Sequence, residues 1–345
     1  MIWLTWRQLR GSAAVVLGAL ALAVLALAVT GPQLADILRV SGTDFFDRLG
    51  TDGTKKAVFY LGTAAAYAVP AVVGAFWGAP LVAREVEAGT HRLVWNQSIT
   101  RTRWLATKLG LAGLGAVVAG SIGLVVTWWC HPLDEAVGRG YTDNGPFSVP
   151  RLWPELFGSR GIVPIGMTVL ALAVGVTVGL LVRRTVAAMA VTLAVVVAVQ
   201  IATPVLVQSH LLAPERLTTT ITATNLRGIQ MAGEPGAADP RIGRVEVAVD
   251  QPGAWVTQNR TVDPDGKVVE FLPAWAEDCA PAPGTSPDTA VACFTRLAEE
   301  GYRQQVEYLP ASRFWALQWM ETGVLLGLAL GLVGFCFWRI RRDLT

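Results

Sequence analysis

The chain has 345 residues, 52% hydrophobic and 16% charged, with a formal net charge of +2 and a mean hydropathy of +0.45. Soluble domains carry about 25% charged residues, so this balance excludes an ordinary soluble globule and points to a bilayer. The net charge says little by itself, because it sums two environments.

Residues 1–10, MIWLTWRQLR, place Trp3, Trp6 and Arg10 at helical spacing. This predicts an amphipathic helix lying in the membrane interface over residues 1–12. Six apolar runs follow, at 13–29, 58–83, 109–129, 161–182, 186–207 and 314–338. Crossing the hydrocarbon takes roughly 20 apolar residues. Lipid offers the backbone no hydrogen bonds, so runs of this length are expected as helices. The first run has 17 residues and sits at the short limit. Arg7, Arg10 and Ala26-Leu27-Ala28 also suit a cleaved signal peptide. The length of the run, with Trp3 and Trp6 as interfacial anchors, favours a span.

The second run carries Pro70 and Pro80, which predict a kink facing other helices. Gly74 and Gly78 are four apart in this run, as are Gly175 and Gly179 in the fourth. Gly323, Gly327 and Gly331 form a longer stripe in the sixth. Small residues at this spacing let helix backbones approach closely, and the three-glycine stripe is expected to be a packing face. The fourth and fifth runs are joined only by Arg183, Arg184 and Thr185, which predicts a tight antiparallel hairpin.

The segment 84–108 between the second and third runs holds Arg84, Arg92, Arg101, Arg103 and Lys108 against Glu85 and Glu87. With the N-terminus inside, segments 1–12, 84–108, 183–185 and 339–345 are inner and hold 12 of the 28 bases. The outer segments 30–57, 130–160 and 208–313 are far longer and hold the other 16 bases with 22 of the 26 acids. Basic residues concentrate on the cytoplasmic side, so both termini are expected in the cytoplasm.

Residues 208–313 are expected to be an extracellular domain. Val245, Val247 and Val249 alternate with polar residues and predict a strand over 244–250. Residues 254–262 and 267–272 flank the turn Asp263-Pro264-Asp265-Gly266 and predict a hairpin. Residues 288–308 place Val291, Phe294, Leu297 and Ala298 on one helical face. Cys279 and Cys293 enclose thirteen residues. An outer, oxidising location permits a disulfide between them; two free thiols or two buried apolar residues are the alternatives. Trp315 and Trp319 suit the interface at the start of the last span. The resulting fold class is an all-α integral membrane protein of the cell membrane. It has six transmembrane helices, an N-terminal interfacial helix and a small α+β domain inserted before the last helix. The divisions are 1–12, 13–207, 208–313 and 314–345.

Catalytic patterns are missing. There is no GxxxxGK[ST], HExxH, GxSxG or CxxC motif, and His91, His131 and His210 lie far apart. No enzyme activity, metal site, cofactor or nucleic-acid partner is expected in this chain. The spans offer almost no converging polar groups. Five carry no charge, and Glu321 in the sixth is the exception. Ion-driven carriers place their coupling charges inside the membrane, so a transporter of this profile would need an external motor. Glu321 could line a substrate path, pair with another helix or reach the interface.

The pattern Glu85-x-Glu87-x-Gly89-Thr90, followed by Arg101-x-x-Trp104-x-x-x-Lys108, resembles the permease subunits of ABC-2 type exporters, in their actinobacterial form. The six spans, the large insertion before the last one and the Gln318–Glu321 neighbourhood are similar to the same family. The resemblance implies a separate cytoplasmic ATP-binding subunit, which carries ATP and Mg, and a second permease subunit, in a homodimer or heterodimer. It also implies that Glu85, Glu87, Gly89, Thr90, Arg101, Trp104 and Lys108 belong to a coupling element seated on the ATPase. Gly89 can end the second helix, Thr90 can cap a short helix over 91–97, and Thr100 can cap the next. An amphipathic or hydrophobic substrate is expected. The alternative reading is a membrane sensor whose extracellular domain binds a ligand or an envelope component.

Overall fold

A computed structural model describes the protein at residues 2–89, 100–143, 145–232, 241–279 and 287–343. Among these residues six helices are long and apolar enough to cross a membrane: Arg10–Thr51, Gly53–Glu87, Arg101–Trp129, Val163–Val182, Thr185–Leu211 and Ala311–Arg342. They are spans 1 to 6. The chain forms two compact units, Met1–Leu212 with Phe314–Thr345, and Ala213–Arg313.

The expected separate helix at 1–12 is the opening of one unbroken helix, Ile2–Ser41. Gly11-Ser12 is too weak an interruption to stop it, since glycine costs a helix only about 1 kcal/mol. The same helix runs past its apolar stretch into residues expected to connect two spans. Leu34 and Leu38, one turn apart, are buried there, and Trp129 Nε1 donates to Thr30 Oγ1 at 2.9 Å.

Span 4 sits at the centre and packs against spans 2, 3, 5 and 6, while span 1 packs on spans 2 and 3. Lipid is as apolar as leucine, so close packing rather than water exclusion holds such helices together. Glycine makes the approach of spans 2 and 4 possible. A Cβ added at Gly78 would lie 2.7 Å from the Leu172 carbonyl oxygen, and one at Gly179 would lie 2.6 Å from that of Ala79. The three-glycine stripe behaves otherwise. A Cβ at Gly323, Gly327 or Gly331 meets nothing within 4 Å. Span 6 turns Gln318, Glu321, Leu325, Ala329 and Cys336 inward, so among the described residues the stripe faces away from the other spans, and packing against a second subunit is untested. The expected kink in span 2 takes the form of a π turn at Gly74–Gly78. A second lies at Pro204–Gln208 in span 5. In span 2 the widened turn contains the Phe76 carbonyl, which the ring of Pro80 would otherwise strike four residues back.

The unit Ala213–Arg313 contains an antiparallel sheet in the order β1 (Glu215–Thr219), β5 (Arg303–Leu309), β4 (Trp255–Val262), and a pair of β2 (Leu226–Ala232) with β3 (Arg241–Val247). The turn at Asp263–Gly266 forms, with Gly266 at φ +81°. Its second arm does not become a strand, and only Val262 and Val268 bridge across it. Strand β4 instead pairs along its length with β5, a stretch expected to be helical. The helix Pro287–Glu299 ends there because Gly301 adopts φ +90°. Beyond it Gln304, Val306 and Tyr308 alternate inward, the two-residue period of a strand. Ile242, Val245, Leu272, Phe294, Leu297 and Val306 form the core of this unit. Cys279 and Cys293 are bonded, with Cα atoms 5.3 Å apart.

Candidate functional site

Two sets of polar residues stand out in the helical unit. The first flanks the link between spans 2 and 3. Span 2 ends at Glu87, and Gly89 follows at φ +68°, its N–H donating to Val86 O at 3.2 Å. Glycine takes this left-handed geometry without a Cβ penalty. Across the link, Thr100 caps span 3, its hydroxyl accepting from Arg103 N–H at 3.3 Å. Thr90 and the short helix expected over 91–97 lie outside the described residues.

Both acids of this segment are committed inside the chain. Glu85 turns inward and pairs with Lys108 at 2.7 Å. Lys108 is 2% exposed. Its ammonium also donates to Leu81 O at 2.8 Å and lies 4.7 Å from the centre of the Trp104 ring, within cation–π range. A buried charge is tolerated only when paired and hydrogen-bonded, and this one is held from three sides. Glu87 sits two residues on, where the helical turn points it elsewhere. It accepts from Thr185 N–H at 2.9 Å and from the Thr185 hydroxyl at 2.6 Å. Its carboxylate thus caps the N-terminus of span 5, where the helix dipole favours negative charge. The two links fasten the end of span 2 to span 3 and to the 4–5 hairpin. Arg183 closes that hairpin at φ 57°.

Of the residues expected in the coupling element, Glu85, Trp104 and Lys108 are buried, Arg101 is half-buried, and Glu87 and Gly89 are exposed. Arg84 and Arg103 are also exposed. The buried residues are internal fasteners, and the exposed ones face outward at the two described ends of the link, which together form an elbow between spans 2 and 3.

The second set corrects the expectation that the spans lack converging polar groups. Glu321 is 2% exposed, and its Oε2 has no hydrogen-bond partner. It lines a cavity of about 20 Å³ with Tyr67 of span 2, Met167 of span 4, and Gln200, Thr203 and Gln208 of span 5. One turn before Glu321, Gln318 accepts from the N–H groups of Ile162 and Val163 at 2.9 and 3.0 Å and donates to Phe157 O at 3.2 Å. Those are the free amides at the start of span 4, so Gln318 fixes the rotation of span 6 against span 4. Search for charges alone overlooks these side chains, because glutamine and tyrosine blend into an apolar run. A buried ion pair between Arg160 and Asp134, at 2.6 Å, was likewise not visible as a pair, since the partners lie 26 residues apart in a segment that looks like an exposed connection.

The ABC-2 membrane transporter related family matches residues 17–208. That stretch runs from span 1 through span 5 and includes the elbow. No curated protein and no solved structure matches the chain. The family match covers more than half of the sequence and takes in five of the six apolar helices among the described residues. The chain therefore belongs to the ABC-2 membrane transporter related family and is a membrane-embedded ABC-2 type permease.

Proposed function

We propose that this permease is the membrane subunit of an exporter driven by a separate cytoplasmic ATP-binding subunit, and that the 84–108 link is where the two meet. One observation carries the reading: the elbow is fastened to two other helical elements by Glu85–Lys108 and Glu87–Thr185. A link fastened in this way can pass a push from outside into spans 3, 4 and 5, whereas a free loop would absorb it. Arg84, Glu87, Gly89 and Arg103 on its outer face would meet the ATPase. The density of basic residues supports placing this link and both termini in the cytoplasm and the Ala213–Arg313 unit outside, where its disulfide would persist. A second permease subunit would complete the pathway, and ATP and Mg would belong to the partner. This chain would perform no catalysis itself.

The test is co-expression with a candidate ATP-binding subunit, followed by purification in mild detergent. The proposal expects a stable complex from wild type and loss of the subunit from the double variant Arg84→Glu/Arg103→Glu. A complex that survives this charge reversal, or no complex at all, would remove the link as the docking element.

A further inference from the structure

We propose that the cavity at Glu321 is a binding site for a primary ammonium group carried on an apolar body, and hence that the transported molecule is an amine-bearing amphiphile. The second half of this inference rests on the permease reading above; the first half does not.

Glu321 is an acid within a span, 2% exposed, with Oε2 unpartnered. Intramembrane acids are costly and are kept where they act. Around it, each polar side chain already spends one donor on a backbone carbonyl. Tyr67 Oη donates to Glu155 O at 2.8 Å, Gln200 Nε2 to Tyr67 O at 2.8 Å, Thr203 Oγ1 to Val199 O at 2.7 Å, and Gln208 Nε2 to Leu152 O at 3.0 Å. These bonds also fix the amide orientations, because a carbonyl can only accept. Among the polar groups left over, acceptors outnumber donors: a carboxyl, two amide oxygens and two hydroxyl oxygens against one N–H on each amide. Such a set asks for a donor that brings positive charge. An ammonium has three donors and no acceptor.

Size narrows the choice. A volume of about 20 Å³ holds one group the size of a water molecule. A primary ammonium fits, whereas a quaternary ammonium or a guanidinium does not. A water alone would satisfy some acceptors but would leave the carboxylate charge unopposed in a dry site. The rest of the lining is apolar, with Ala66, Pro70, Phe157 and Met167, so the cavity takes the ammonium head alone and the hydrocarbon body it is carried on stays outside. Tyr67, Pro154, Gly158, Gln200 and Pro204 of the lining are half-buried, and the cavity approaches the surface among them.

The experiment measures binding to the purified chain in lipid nanodiscs, without any ATP-binding subunit. The thermal-unfolding midpoint is followed during titration with hexylammonium chloride, hexanol, tetramethylammonium chloride or potassium chloride. A ligand that binds only the folded form raises the midpoint. Hexylammonium is expected to raise it, and the other three are not. In Glu321→Gln, at least about tenfold more hexylammonium should be needed, because a charge-assisted bond to the carboxylate is lost. Met167→Phe keeps the acid but fills the cavity, and should abolish the response. Protection by hexanol would make the site merely apolar, and protection by potassium would make it a bare cation site. Either result overturns the proposal, as does an unshifted midpoint with hexylammonium or an unchanged response in both variants. These outcomes leave the ATPase-docking test untouched, so the two readings fail separately.

Discussion

Lys108 shows how one residue can be mistaken for another kind. In the sequence it closes a basic segment and looks like one more charge on a cytoplasmic surface. In the fold it is buried, paired with Glu85 and stacked on Trp104. Removing one member of a buried pair strands the other charge, at a cost of about 3–5 kcal/mol. Lys108→Met should therefore lower the unfolding midpoint strongly, and Glu85→Gln/Lys108→Met should recover most of the loss. An equally unstable double variant would show that the pair is not the cause. The cysteines give a second residue-scale expectation. Burial pushes the Cys130 thiol up to about 11, so almost none is thiolate at neutral pH, and Cys336 is buried too. A polar maleimide should label no cysteine in the folded protein and two after denaturation. With added reductant it should label all four, as Cys279 and Cys293 are released. Labelling of Cys130 in the native protein would contradict its burial.

At the scale of elements, the spans were legible because lipid imposes length and polarity on every crossing helix. Their packing was not, because a glycine's spacing does not say which way it faces. Gly74, Gly78, Gly175 and Gly179 lie against facing backbone across spans 2 and 4, while a Cβ on the more conspicuous stripe at Gly323, Gly327 and Gly331 would meet nothing within 4 Å among the described residues. Gly179→Ile should accordingly destabilise the fold by about 1–3 kcal/mol or more, since backbone blocks the new side chain. Gly327→Ile should change it by less than about 0.5 kcal/mol. Thermal unfolding in nanodiscs compares the two, and equal losses would refute the packing described. The elbow was half legible. Gly89 and Thr100 announced its ends through their own backbone preferences. The partners of Glu85 and Glu87 did not, because Lys108 and Thr185 become neighbours only when spans 3 and 5 are in place. The strand at Arg303–Leu309 was hidden for a related reason: its pairing partners β1 and β4 are distant in sequence.

On the scale of the whole molecule, the ends of the 2–3 link are fastened beside a central span and a polar cavity. Span 4 contacts spans 2, 3, 5 and 6, and residues of spans 2, 4, 5 and 6 line the Glu321 cavity. The fasteners are the weak points of that chain of contacts. Glu87 is exposed, and its bond to Thr185 can be cut without opening a buried hole. The decisive measurement is the amount of substrate moved per ATP hydrolysed by the permease–ATPase complex in liposomes, with wild type set against Glu87→Ala. The account predicts that the variant still assembles and hydrolyses ATP but moves several-fold less substrate per ATP, in proportion to the coupling energy lost. Transport per ATP equal to wild type, in an assembled complex, would contradict the claim that the fastened elbow carries the stroke.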